Sequence, residues 1–413
     1  MFRPKTWALA SAIAGALALP TAAFATTAGY FQLGYSAKSD GMAGASAALP
    51  QDSMSQATNP AGIAFVGSRL DVGVAGFWAF RGYEAGPGHY PNPGAYGSNS
   101  NAFLIPHAGY SVRLDRDNYA GVAIYGNGGM STNFNNGTAG PYYGGQTGVN
   151  LQQLFVQATY ARKFWRHDAV GVSLLYAHQR FSADGLSGFA AQSSHPHHLS
   201  NNGVSGSNGV GFKVGGQFRI VPGLDLGLAY SPRMTMSKFS GYTGLFAGGG
   251  RLDIPANGVV GVAFKPMAGQ VVAFDFQRIF YNDVPAIANP FPNGNALGSA
   301  NGPGFGWQNI DVYKLGYQFA VDRTVTARVG FAYNNQPILP SQVLLNVIAP
   351  GVIQRHVTAG FTAHTGPGQD VTVAALYGLP QSVAGRAPSA YGGGTVRLHM
   401  HEYQIEAQWG WRF

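Results

Sequence analysis

The residues that could do chemistry are few and scattered. His195, His197 and His198 sit together in a stretch broken by Pro196. Histidine tracts can hold a metal ion. A metal site also needs a complete ligand set and a supporting shell. No Asp or Glu adjoins this cluster, so no metal is expected there. His399 and His401 lie two residues apart, which suits either a pH-responsive pair or two positions at a strand rim. The sequence holds no G-x-S-x-G, H-E-x-x-H or G-x-x-x-x-G-K-[ST] motif and no Cys. Nucleophilic, metallohydrolytic, phosphate-cradling and thiolate chemistry therefore have no carriers. Neither an enzyme activity nor a cofactor is expected. What remains is charge set among apolar residues. Lys213, Lys314, Arg328 and Arg412 are cations on the polar sides of alternating segments. They could meet the carboxylate of a ligand. They could instead pair internally, as Arg412 could with Glu402 or Glu406.

The elements that place these cations are strands. Tyr403, Ile405, Ala407, Trp409, Trp411 and Phe413 share one face, and Glu402, Gln404, Glu406, Gln408, Gly410 and Arg412 share the other. That is the period-2 signature of a strand. The same alternation recurs at 170–176, 313–319, 324–334 and 356–361. Fourteen strands are predicted, near 68–80, 103–115, 117–126, 150–165, 168–182, 207–220, 223–236, 252–265, 270–281, 308–321, 324–335, 353–364, 370–379 and 398–413. Short connections, such as Pro222-Gly223 and Asp322-Arg323, alternate with long Gly/Pro/Asn/Ser-rich ones. Short turns at one end and long loops at the other are the topology of an outer-membrane barrel. The predicted fold class is all-β, a 14-stranded antiparallel transmembrane β-barrel with both ends on the periplasmic side. Tyr313, Tyr333, Trp409 and Trp411 suit its aromatic girdles.

Composition agrees. Hydrophobic residues make up 46% of the 413, and only 10% are charged, against roughly 25% in soluble domains. The chain is too apolar for disorder, and no run reaches the roughly 18 apolar residues of a membrane helix. The net charge of +8 has no basic run or aromatic-basic motif behind it, which excludes nucleic-acid binding and leaves contact with anionic lipid headgroups. Arg3 and Lys5, the apolar stretch Trp7 to Leu19, Pro20 and Ala23-Phe24-Ala25 form the three parts of a signal peptide. Residues 1–25 are expected to be removed, leaving a mature chain that starts at Thr26.

Residues 26–66 lack alternation and are rich in Gly, Ala and Ser. They still carry Tyr30, Phe31, Leu33, Tyr35, Met42, Leu49, Met54, Ile63 and Phe65, too many apolar side chains for a solvated tail. A hatch of short helices and turns, plugging the lumen of a barrel formed by 67–413, is expected.

The hatch holds Asn59-Pro60-Ala61-Gly62, preceded by Gly41-Met42-Ala43-Gly44-Ala45 and by Asp52. With Leu252-Asp253-Ile254-Pro255-Ala256, the Arg328 to Tyr333 stretch, Ala349-Pro350-Gly351-Val352 and Arg355-His356, this resembles the outer-membrane long-chain fatty-acid transporter (FadL) family, which includes aromatic-hydrocarbon uptake channels. The resemblance implies passive uptake of hydrophobic small molecules into an apolar luminal pocket gated by the hatch, with a kink in the third strand that releases the ligand sideways. Phe31, Leu33, Met42, Phe155 and Leu175 are candidate linings. Lys213, Lys314 and Arg328 are candidate partners for a carboxylate. Gly126, Gly128 and Gly129 either mark the kink or begin a long loop. Phe413 resembles the terminal signal read by the barrel-assembly machinery. The expected partners are the ligand, outer-membrane lipid and lipopolysaccharide, with the barrel a monomer. A hydrophilic porin, or a receptor or adhesin built on the long loops, is the alternative.

Overall fold

In lipid a strand has no water to satisfy its N–H and C=O groups, so a sheet that crosses a membrane must close on itself. This one does. The computed structural model describes residues 28–135 and 140–413, and the expected signal peptide and mature start lie outside them. The strands are β1 Arg69–Ala85, β2 Gly94–Gly97, β3 Ala102–Arg113, β4 Asn118–Phe134, β5 Thr147–Lys163, β6 Ala169–Asp184, β7 Ser205–Val221, β8 Leu224–Ser231, β9 Asn257–Phe264, β10 Gln270–Ile279, β11 Ile310–Ala320, β12 Val325–Asn334, β13 Arg355–Gly366, β14 Gln369–Arg386 and β15 Thr395–Arg412. β2 is a short ribbon on the long-loop end of β1. The other fourteen pair antiparallel in chain order, and β15 pairs with β1 from Arg69↔Arg412 to Ala85↔Val396.

Alternation sets the faces. Tyr403, Ile405 and Trp409 point outward, while Glu402, Gln404, Glu406 and Gln408 are buried inside. A soluble barrel would have these reversed. Tyr313 and Tyr333 are likewise exposed on the outer wall, and Trp409 stacks on Trp411 at the short-turn end.

The bounds differ from expectation in places with physical causes. β8 and β9 are shorter, because Pro232 and Pro255 lack the N–H a ladder needs. Only an isolated bridge, Met234↔Ile254, continues their pairing. β1, β4 and β14 run longer, through glycines that sequence reasoning assigned to loops.

Residues 28–66 fill the lumen with short helical turns. One, Ala37–Asp40, begins with Ser36 and Ser39 in a reciprocal capping box. Polar bonds hold the hatch to the wall near the short-turn end. Lys38 Nζ lies 2.8 Å from Asp370. Asp71 accepts from Arg69 Nε at 2.7 Å and from the Ser53 hydroxyl at 2.6 Å. Asp275 accepts from the Ser46 and Ala47 amides, each at 2.9 Å. Glycines let the wall reach the hatch backbone. A Cβ at Gly227 would lie 2.0 Å from the Ala47 carbonyl oxygen, and one at Gly171 2.5 Å from the Pro60 carbonyl carbon. Gly227→Val therefore forces wall and hatch apart. It should destabilise the barrel by about 1–3 kcal/mol, measured as a lower urea midpoint in detergent with an unchanged m value.

Candidate functional site

The lumen has two regimes. Near the short turns it is polar and tied to the hatch. Above that it is apolar, and the leading end of the hatch, residues 28–33, lies within it. Ala28 and Phe31 close a tight turn by mutual backbone bonds. Tyr281 and Trp307, one just after β10 and one just before β11, cradle this turn. The Tyr30 ring centroid lies 5.2 Å from Tyr281 and 6.3 Å from Trp307, and Phe31 meets Tyr281 edge-on at 6.1 Å. The Tyr281 hydroxyl accepts from the Tyr30 amide and donates to the Ala28 carbonyl, both at 3.1 Å. Trp307 is itself fixed by donating to Asn346 at 2.6 Å. Tyr30 is fully buried, and that burial raises its phenol above the ordinary range.

The hatch end also meets a break in the wall. β3 and β4 pair only from Arg113↔Tyr119 to His107↔Tyr125. The next β3 residue is Pro106, which has no N–H to give. The next β4 residue, Gly126, opens a bulge, and the register to β5 shifts between Gly126 and Gly128. A bulge bends its strand. β4 keeps pairing with β5 to Phe134 while its partnership with β3 has ended. Residues 127–132 are buried on both faces, unlike the alternating strand below. On one side, Asn99 donates to the Asn133 carbonyl at 2.7 Å and Ser100 bonds Ser131 at 2.8 Å. On the lumen side, Phe31 bridges to Gly128, Gln32 Nε2 donates to the Gly126 carbonyl at 3.1 Å, and Thr132 donates to the Ile348 carbonyl at 2.7 Å. A cavity of about 10 Å³ lies behind the break, among Gln32, Ile105, His107, Tyr125 and Glu406.

The sequence matches the family described as outer membrane protein transport protein (OMPP1/FadL/TodX) over residues 18–377. The chain belongs to this transport family. Among solved structures, the Pseudomonas putida toluene transporter TodX superposes with a TM-score of 0.67 at 17% identity, over 94% of this chain and 100% of that one. A Pseudomonas aeruginosa FadL homologue gives 0.70 at 14%, over 94% and 100%. The Ralstonia pickettii toluene transporter TbuX gives 0.63 at 18%, over 92% and 99%. These likenesses carry the fold. No curated protein sequence matches the chain. As a member of the OMPP1/FadL/TodX family, the protein is an outer-membrane β-barrel channel.

Within this channel, Phe31, Leu33, Phe155 and Leu175 fall in one buried apolar cluster. Met42 does not. It packs lower, with Leu49, Ala263 and Val271. Asn59-Pro60-Ala61-Gly62 serves as an anchor rather than a gate. Asn59 Nδ2 donates to the Ala47 carbonyl at 2.9 Å and to the β7 carbonyl of Gly216 at 3.0 Å. Its Oδ1 accepts from the Ala61 amide at 3.1 Å, which caps the turn that Pro60 begins.

The three candidate cations are committed to the hatch, because their strands pass where hatch carbonyls need donors. Lys213 donates to the Ala57 carbonyl and Lys314 to that of Leu33 at 2.7 Å. Arg328 donates to Gln51, Gln318 and Thr362. Arg412 is exposed at the barrel's end, and among the described residues it pairs with neither Glu402 nor Glu406. Glu402 pairs with His356 at 3.2 Å, and Glu406 faces His107 at 3.5 Å. His195, His197 and His198 are exposed, and among the described residues no group of His, Asp or Glu could hold a metal. His401 stacks on Phe80 on the outer wall.

Sequence reasoning missed Arg81, which it placed in a loop. Arg81 is buried on extended β1, donates to the Ser100 carbonyl at 2.7 Å and lies over the Phe103 ring at 5.3 Å. Among the described residues no carboxylate lies within ion-pair distance of it. It borders a cavity of about 20 Å³ that also touches Gly29, Met130, Ile348 and Met400. Tyr281 and Trp307 were missed too: Trp307 sits in a segment without periodicity, and Tyr281 was expected to end a strand that in fact stops at Ile279.

The Tyr281 hydroxyl ties the hatch end through two bonds. Tyr281→Phe removes both of its bonds and keeps the ring. It should loosen residues 28–33 by about 1–2 kcal/mol, seen as about a tenfold or greater rise in their amide exchange with little change in the strands.

Proposed function

We propose that the protein is a passive uptake channel for hydrophobic small molecules, long-chain fatty acids or hydrocarbons. They bind at the hatch end between Tyr281, Trp307 and Phe31, and leave sideways between β3 and β4 into the membrane. The observation that carries this reading is the ladder break at Pro106 and Gly126, which faces the hatch end directly. A ligand that displaces residues 28–33 from their aromatic cradle gains a mostly apolar pocket of the usual kind. It also removes Phe31 and Gln32 from the bulged strand, and so unblocks the wall where no β3–β4 bonds hold it. Lipopolysaccharide hinders direct partition of apolar solutes, so an exit into the bilayer avoids returning the ligand to water. That relatives are described as toluene transporters, or as a FadL homologue, supports the cargo class.

A hydrophilic porin fits less well, because hatch and inward-folded loops occupy the bore. A surface receptor or adhesin fits less well too. The aromatic side chains of the long loops pack inward, as Tyr90, Tyr142, Phe189 and Tyr391 do on one another.

Cells with and without the gene, given radiolabelled hexadecanoic acid or toluene, test the transport reading. Equal uptake of both compounds in both strains refutes it. Deleting Asn127 removes the extra residue of the bulge and straightens β4. Uptake should then drop to the level of cells lacking the gene, while the purified barrel still binds ligand. Retained uptake refutes the sideways exit. Arg81 is the lumen cation placed to meet an acid. Arg81→Met should weaken binding of hexadecanoic acid by about 1.5–3 kcal/mol in equilibrium dialysis and leave toluene binding unchanged.

A further inference from the structure

The outer wall carries a feature that uptake does not use. From β5 to β10 it is concave, with a groove of about 890 Å³. The groove follows one row of paired residues across six strands: Arg162, Val170, Gly216, Leu228, Val260 and Phe276. Five strand spacings make this row about 24 Å long. Strands in such barrels tilt by about 35–45°, so the row climbs obliquely from the periplasmic rim toward the membrane's middle and beyond. Phe164 stands at its foot and Phe280 at its head.

The hollow has a cause on the inner side. Behind it the wall presents glycines to the hatch. A Cβ at Gly215 would lie 2.2 Å from Asn59 Oδ1, one at Gly171 2.5 Å from Pro60, and one at Gly227 2.0 Å from Ala47. With no side chains between them, wall and hatch backbone touch, and the outer surface is drawn in. The hollow is therefore fixed by the same contacts that seat the hatch.

The two ends of the groove differ in charge. At the head, Arg278 is already used, 3.4 Å from Asp311 and over the Phe280 ring. At the foot, Arg162 is exposed and makes no ion pair among the described residues, although Asp115 lies near enough to feel its charge. It sits one residue from the end of β5, level with the exposed aromatics Tyr160, Phe164 and Trp165, at the interface where headgroups lie. Arg166 follows in the same turn. A guanidinium is suited to a phosphate, and basic groups at a membrane surface attract anionic lipid.

We propose that this groove is a binding site for one phospholipid of the periplasmic leaflet. Its phosphate lies on Arg162 and an acyl chain runs up the row past Val170, Gly216 and Leu228.

Native mass spectrometry of the full barrel in mild detergent, with dioleoyl phosphatidylglycerol added at a fixed ratio, tests this. The unaltered protein should retain one lipid. Val172→Trp, which fills the groove, should abolish retention, and Val329→Trp on the outer face of β12 should not. Arg162→Gln should weaken retention about fivefold. Equal retention by the two Trp variants, unchanged retention by Arg162→Gln, or no lipid on the unaltered protein would each overturn the proposal. So would a dimer that Val172→Trp dissolves, since a second copy would then fill the groove. A heat-modifiable band on electrophoresis reports folding. If Val172→Trp lacks that band, Val214→Trp makes the same test one strand away.

Discussion

Everything in this molecule depends on satisfying backbone hydrogen bonds where there is no water. An unpaired peptide group in hydrocarbon costs several kcal/mol, so the sheet closes through seventeen residues of β1 against β15. Where β3 and β4 part, above Pro106 and Gly126, β4 has to satisfy its groups by other means. β4 there leans on β5, on the segment around Ser98 to Ser100, on Gln32 and Phe31 of the hatch, and on the Ile348 carbonyl. The hatch end is thus part of the hydrogen-bonding of the wall as well as a plug. Any ligand that takes its place must tolerate, or replace, those bonds.

The interior follows from the exterior. Because lipid claims the apolar faces, the polar faces are left to line the lumen, and a narrow barrel cannot leave them unpaired. The hatch answers this with its own backbone. Its amides go to Asp71, Asp275, Gln408 and Thr358, and its carbonyls to Lys213, Lys314 and Gln217. Lumen charge that looks available for a ligand is therefore largely committed. Arg81 differs because it stands above the hatch, where the wall is lined by Phe77, Phe103 and Met130.

This bears on what could be read from sequence. Period-2 alternation is enforced by lipid on every crossing strand, so strand number, order and closure were legible, as was the chemistry of both faces. Alternation also showed that Lys314 and Arg328 face inward. It could not show what they touch, because the hatch contacts are set by residues some 280 positions away in the chain. The upper half of β4 was ambiguous for a specific reason. Gly126, Gly128 and Gly129 are the residues that allow a bend, and glycines equally announce a loop. Pro232 and Pro255 were the reverse case, since they were visible in the sequence and should have shortened β8 and β9. Trp307 had no signal at all, because irregular segments carry no period, and Tyr281 was hidden at the end of a strand that stops two residues short of it.

The hatch is not uniformly held, and the difference has a direction. Residues 38–62 are tied by charge-assisted or buried bonds, including Lys38 to Asp370, Ser53 to Asp71 and the paired amides on Asp275. Glycine-backed contact with the wall at Gly171, Gly215 and Gly227 adds to these ties. The ties on residues 28–33 are mostly to neutral groups and include the Tyr281 hydroxyl, the bridge to Gly128 and the Gln32 amide, with the Lys314 ammonium at their trailing edge. Bonds to charged groups contribute about 1.5–3 kcal/mol each, and neutral ones nearer 1. Regions with few such ties open at lower free energy than the core they adjoin. The end of the hatch is then the part that can leave first, while its anchored remainder keeps the periplasmic half closed. That order of strengths is what the proposed sideways route would require, since the bore below the hatch end stays filled.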